Sequence, residues 1–160
     1  NLKLNYIGDD GAKAIGGAIR VNSVLTSLNL SGNWVGPELG ICMAEALKVN
    51  SVLTSLNLSA NELCGRRGDQ TAGIVAIAEA LKVNSVLTDL NLSGNSIGGY
   101  YNDDYELVCT PEGPAAIADA LHVNSVLTSL NLECNWCIGD AGKAALREIA
   151  KDRPSLTLKL

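Results

Sequence analysis

Five cysteines and a single histidine are the side chains of this sequence best suited to covalent or metal chemistry. Cys42 lies in a stretch whose apolar residues follow helical spacing and reads as a small core residue. For Cys64, Cys109, Cys134 and Cys137 three states compete: ordinary reduced thiols, a disulfide joining Cys109 to Cys134 or Cys137, or a zinc site. Cys134 and Cys137 have the two-residue gap of a ligand pair, but a zinc site needs a second close pair, and Cys64 and Cys109 are 45 residues apart. No metal is expected. As a redox CxxC the pair lacks a thioredoxin-like context, although it follows a predicted strand. Around His122 there is no Ser-His-Asp set or HExxH, and neither Gly16-Gly17 nor Gly98-Gly99 is followed by the Lys-Ser or Lys-Thr of a phosphate loop. Asp103, Asp104 and Glu106 lack the alternating Asp-x-Asp-x-Asp-Gly of a calcium loop and read as a solvated acidic segment. The inventory predicts no enzyme and no cofactor.

The elements that carry these residues are set by an internal repeat. VNSVLTSLNLSGN begins at Val21, VNSVLTSLNLSAN at Val49, VNSVLTDLNLSGN at Val83 and VNSVLTSLNLECN at Val123, with degenerate copies at both ends of the sequence. Leu25, Leu53, Leu87, Leu127 and Leu156 are equivalent, at spacings of 28, 34, 40 and 29. The unit is thus 28 residues, with insertions of six, twelve and one. Leu28-Asn29-Leu30 alternates with the period of a half-buried strand, whereas Leu39, Met43, Ala46 and Leu47 follow helical spacing. Each unit is one strand and one helix. Asn22, Asn50, Asn84 and Asn124 fall just past the helices and are expected to be left-handed stops. His122 occupies the place of Lys48 and Lys82, where a cation suits the helix end.

A lone strand and helix cannot bury its leucines, so the units must stack. The pattern LxxLxLxxN in a 28-residue helical unit resembles the ribonuclease-inhibitor-like subfamily of leucine-rich repeats, found also in NLR sensors and RanGAP-type GTPase activators. The resemblance covers nearly the whole sequence. It implies an α/β solenoid, a horseshoe arc with a parallel sheet of about six strands on the concave side and helices on the convex side. It also implies that Asn33, Asn61, Asn95 and Asn135 form a buried asparagine ladder. Residues 1–160 read as a single domain, truncated at both ends, with insertions in about 62–73 and 96–114.

Composition narrows the function. The sequence is 47% hydrophobic and 18% charged, which excludes disorder, and no apolar run approaches a membrane span, so no membrane insertion is expected. A net charge of -5 is the wrong sign for nucleic acid. The predicted outward strand positions, such as Ser27, Asn29 and Ser31, repeat from unit to unit and offer no large anchor. Variation falls just after each strand: Trp34, Glu62, Ser96 and Trp136, together with both insertions, along one rim. The first insertion carries Arg66 and Arg67, the latter opening an Arg67-Gly68-Asp69 tripeptide that arises readily by chance. The second carries Tyr100, Tyr101 and Tyr105 beside Asp103 and Asp104. Tyr supplies contact area at low entropic cost. Two plainer readings stand beside a contact role: neutral surface drift, and pairing of Arg66 and Arg67 with Asp103 and Asp104.

The expected function is a non-enzymatic protein-interaction module or scaffold, using Trp34, Arg66, Arg67, Tyr100, Tyr101, Asp103, Asp104, Tyr105 and Trp136. A RanGAP-type GTPase activator and a structural subunit of a larger assembly are the alternatives. Exposed leucines at the two ends, Leu2 and Leu160, predict either further repeats beyond them or end-to-end self-association. Asn29, Asn57 and Asn91 each open an Asn-Leu-Ser glycosylation sequon on the predicted sheet, where adjacent glycans would crowd, so a cytoplasmic location is expected, with a secretory route that bypasses N-glycosylation as the alternative.

Overall fold

The structure is a computed structural model describing residues 1–65 and 71–160; for Tyr101 only the backbone is described. Helices α1 (Gly8–Val21), α2 (Pro37–Leu47), α3 (Ala72–Val83), α4 (Glu112–Val123) and α5 (Gly139–Lys151) alternate with strands β1 (Ser27–Asn29), β2 (Ser55–Asn57), β3 (Asp89–Asn91), β6 (Ser129–Asn131) and β7 (Thr157–Lys159). Two further strands, β4 (Gly99–Tyr101) and β5 (Leu107–Cys109), lie inside the longer insertion. The main sheet is parallel in the order β1-β2-β3-β6-β7, and each strand pairs in register with its repeat equivalent, Ser27 with Ser55 and Asp89 with Ser129. Five strands stand where about six were expected. The missing first rung is still present as hydrogen bonds, since Leu2 N–H donates to Asn29 O at 2.8 Å and Leu4 N–H to Ser31 O at 3.0 Å.

The strands of the full units are three residues long, Ser-Leu-Asn or Asp-Leu-Asn, and sit in the short part of each unit that alternates. Leu28, Leu56, Leu90 and Leu130 point from the sheet into the core, and Leu30, Leu58, Leu92 and Leu132 follow them. The helices pack on the other side of this leucine layer, each against the next, and contribute Leu39, Met43, Ile74, Ile77 and Ile117. Threonine hydroxyls tie the rungs at the strand entrance: Thr54, Thr88 and Thr128 each donate to the threonine carbonyl of the preceding unit at 3.1 Å.

The asparagines after the helices behave differently from the left-handed stops expected of them. Asn22, Asn84 and Asn124 are extended, with φ near -77°, -76° and -74°. Their side chains satisfy the helix ends by reaching sideways. Asn50 Nδ2 donates to Ile19 O at 2.8 Å and Asn22 O at 2.9 Å, while its Oδ1 accepts from Val52 N–H and Leu53 N–H. Asn84 and Asn124 repeat this, with Nδ2 donating to Leu47 O and Leu81 O at 2.8 Å. The orphan carbonyls of one helix are thus capped by the next unit, an arrangement a left-handed backbone is not needed for. At the last rung Arg153 takes the asparagine's place, donating from Nη1 to Leu121 O at 3.1 Å and from Nη2 to Leu127 O at 2.7 Å.

Candidate functional site

The turn after each strand is built on the second asparagine series. Asn33, Asn61, Asn95 and Asn135 are buried, and each Oδ1 accepts the backbone N–H of its counterpart one rung earlier, from Asn5, Asn33, Asn61 and Asn95. Each Nδ2 donates to leucine carbonyls of its own and the preceding rung; for Asn95 these are Leu92 O at 3.0 Å and Leu58 O at 2.9 Å. This fixed frame holds the residues on either side of the asparagine in the left-handed region. Gly32, Ala60, Gly94 and Cys134 precede it with φ from 54° to 67°, and Tyr6, Trp34, Glu62 and Ser96 follow it with φ from 50° to 59°. A non-glycine residue there costs about 1 to 2 kcal/mol, which the surrounding hydrogen bonds must offset.

The position after the asparagine is turned outward, and its large side chains meet solvent. Tyr6 is 84% exposed, Trp34 57% and Trp136 83%. Tyr6 was missed from the sequence, although it stands one 28-residue unit before Trp34. Trp136 departs from the repeated backbone, since it opens a one-turn 3₁₀ helix, Trp136–Ile138, closed by Ile138 N–H donating to Asn135 O. Ser31 was assigned to the open face of the sheet but is buried, whereas Asp89 and Glu133 are exposed there.

The longer insertion is a β-hairpin rather than a loop. β4 and β5 pair antiparallel, Tyr100 opposite Val108 and Tyr101 opposite Leu107. Asn102 organises the tip: its Oδ1 accepts from Asp104 N–H at 3.0 Å and Glu106 N–H at 2.8 Å, and its Nδ2 donates to Glu106 Oε2 at 3.1 Å. Asp103, Asp104 and Tyr105 are exposed at the tip, Tyr105 by 72%, while Tyr100 is half-buried nearer the base. Arg66, Arg67 and the tripeptide that Arg67 opens lie outside the described residues, and so does the expected pairing with Asp103 and Asp104.

The cysteines separate into three environments. Cys64, although it follows its strand closely in sequence, is buried in the core. Cys42 is half-buried on α2, where it faces Gly16 of α1; burial pushes its thiol pKa up, and the Glu38 carboxylate adds to the effect. Cys109 and Cys137 are joined, Sγ to Sγ at 2.09 Å, while Cys134 is free and exposed. The bond connects the end of β5 to the 3₁₀ turn of the following rung and forms part of the wall of an apolar groove of about 300 Å³ between α4 and α5. His122 is exposed in the last turn of α4. Among the described residues no three His, Cys, Asp or Glu side chains are grouped to hold a metal, and no helix is long and apolar enough to cross a membrane.

Stacked strand-helix units with a ladder of buried asparagines define a leucine-rich solenoid. The family described as "Leucine Rich repeat" matches residues 1–16, 21–44, 83–99 and 123–146, half of the sequence, and the protein belongs to that family. A comparison with curated proteins finds no match. Among solved structures, "Leiomodin-1 Actin-Binding Site 2 (ABS2)" is similar in fold, with a TM-score of 0.70 and 22% identity over 96% of this chain and 82% of that one.

Proposed function

We propose that this is a non-enzymatic protein-recognition module that engages its partner along the rim of post-strand turns. The observation that carries the reading is the exposure of four aromatic side chains, Tyr6, Trp34, Tyr105 and Trp136, on post-strand turns and an inserted hairpin. Binding energy concentrates in such residues when a partner buries them. Asp103 and Asp104 at the hairpin tip give the surface its sign and favour a basic partner segment. The complete helix in every full 28-residue unit supports the ribonuclease-inhibitor-like subfamily. The solved neighbour's title names an actin-binding site, so actin is one defined ligand to test.

Affinity capture with the intact protein and with a variant whose residues 98–113 are cut back to the 28-residue unit tests the reading. Loss of a partner from the shortened protein, and from Trp136→Ala, is the expected result. A partner set unchanged in both variants would move recognition away from the rim.

For the compartment, we favour the cytoplasm. Asn29, Asn57 and Asn91 lie within the sheet, each Oδ1 already accepting a backbone N–H two residues on, a poor setting for three neighbouring glycans. Disulfides in that compartment are mostly transient and redox-responsive, which bears directly on Cys109 and Cys137.

A further inference from the structure

We propose that the open face of the main sheet holds an extended peptide laid across its strands, with Asn29, Asn57, Asn91 and Asn131 donating to the peptide's carbonyls and Asp89 and Glu133 selecting two consecutive basic residues. The inference rests on the reading of the protein as a recognition module but uses none of the rim aromatics.

The asparagines carry it. They stand in register on four neighbouring strands, Asn29 beside Asn57, Asn57 beside Asn91 and Asn91 beside Asn131. Each Oδ1 accepts the backbone N–H two residues on, from Ser31, Ser59, Ser93 and Glu133, at 2.9 to 3.0 Å. That bond settles which end of each amide is oxygen, so Nδ2 is the uncommitted end. Among the described residues no hydrogen bond uses these four Nδ2 groups, and all four residues are partly exposed. The buried asparagines differ, for Nδ2 of Asn61 and of Asn84 is spent on carbonyls of the solenoid itself. The sheet thus presents a row of oriented amide donors at the strand spacing of about 4.8 Å, suited to a ligand rich in carbonyl oxygens. Ser27, Ser55 and Ser129 beside the row are small and let a main chain come close.

A peptide crossing the strands meets one asparagine per rung. Four rungs span roughly 14 Å, the length of four to five extended residues. Its carbonyls alternate sides, so those facing the amides recur every 6.7 Å or so, and about two or three of them fall on the row. Side chains stand at right angles to the carbonyls, so successive ones point along the strands in opposite directions.

The two carboxylates match that alternation. Asp89 replaces the serine two residues before Asn91, and Glu133 replaces the serine two residues after Asn131, on the neighbouring rung. They flank the row on opposite sides, are exposed, and have no ion-pair partner among the described residues. One basic side chain turned each way meets both. Lys159 takes the asparagine's place on β7 and closes the row with a cation, which keeps the basic pair over β3 and β6.

The test titrates the full chain into a fluorescein-labelled eight-residue peptide with two adjacent central lysines among threonines and valines, read by fluorescence anisotropy. Asn57→Asp combined with Asn91→Asp keeps both Oδ1 acceptors, removes both donors and adds negative charge. Saturable binding is expected, weakened at least about tenfold in that variant despite the added charge, and by a similar factor in Asp89→Asn combined with Glu133→Gln. Separating the lysines by one residue puts both on the same side and should also weaken binding. In the wild type, where no variant has to fold, the four asparagine side-chain amide NMR signals should shift as peptide is added. Trp136→Ala should bind the peptide as the wild type does; a loss there would assign the peptide to the rim instead. Tighter binding by the asparagine variant, no saturation below about 1 mM, unmoved side-chain amide signals, or equal shifts from a neutral linear oligosaccharide such as cellohexaose would each overturn the assignment. A failed peptide titration leaves the rim reading standing, since that reading is decided by capture.

Discussion

Asn95 serves three backbone segments at once. Its Oδ1 takes the Asn61 and Leu63 N–H groups at 2.9 and 3.3 Å, and its Nδ2 serves carbonyls of two rungs. Asn95→Ala strands those buried groups, so a loss of roughly 3 to 5 kcal/mol in urea unfolding is expected. Asn22 occupies the exposed end of the other series, where its Oδ1 accepts from Val24 and Leu25 N–H. Asn22→Ala should cost only about 1 kcal/mol, because water can replace it; equal losses for the two would sink the ladder argument. Cys42 gives a pH signature. Its raised thiol pKa means that the fold favours the protonated form, so this contribution is present below the ordinary thiol range and lost as pH climbs through the raised value. Cys42 should accordingly react more slowly with iodoacetamide than Cys134 at about pH 7.5. The repeated asparagines were legible as structural in the sequence. The carbonyls served by Asn50, Asn84 and Asn124 were not, since they belong to the neighbouring unit and local propensity contains no term for them.

Helix packing turns on two glycines. A Cβ on Gly40 of α2 would come within 2.5 Å of Gly73 O, and one on Gly73 within 2.6 Å of Leu63 O and 2.7 Å of Pro37 O. These are backbone atoms, which cannot rotate aside. Gly40→Ala should therefore cost roughly 3 kcal/mol or more by thermal or chemical unfolding. Gly17 on exposed α1 meets nothing within 4 Å, and Gly17→Ala should stabilise by up to about 1 kcal/mol through helix propensity. Destabilisation by both would point to α1 packing more tightly than it does here. The strands and helices of the full units were readable from sequence because the period changes from two to 3.6 within each repeat. The hairpin was harder. Tyr100-Tyr101 and Leu107-Val108-Cys109 lack alternation with charge, and the tip is closed by one asparagine side chain rather than by a two-residue glycine turn.

At the scale of the molecule, the solenoid presents unlike faces at its two ends. Leu2 and Leu4 are exposed beyond β1, and Leu156, Leu158 and Leu160 line a hollow with Arg147, Ala150 and Lys151 beside β7. Unlike faces associate head to tail and do not close. Light scattering should show mass rising with concentration, and Leu4→Glu should suppress the rise; a constant monomer mass would exclude such stacking. The ladders also decide how the molecule comes apart when it is pulled. Rungs held by bonds to their neighbours peel from the ends in succession, each releasing its own length of backbone. The Cys109–Cys137 bond spans a separation of 28 residues, so on the order of 90 to 100 Å of chain stays hidden from the pulling force. Once the bond is reduced, that length is returned, and the extension of a single stretched molecule reports its sulfur chemistry.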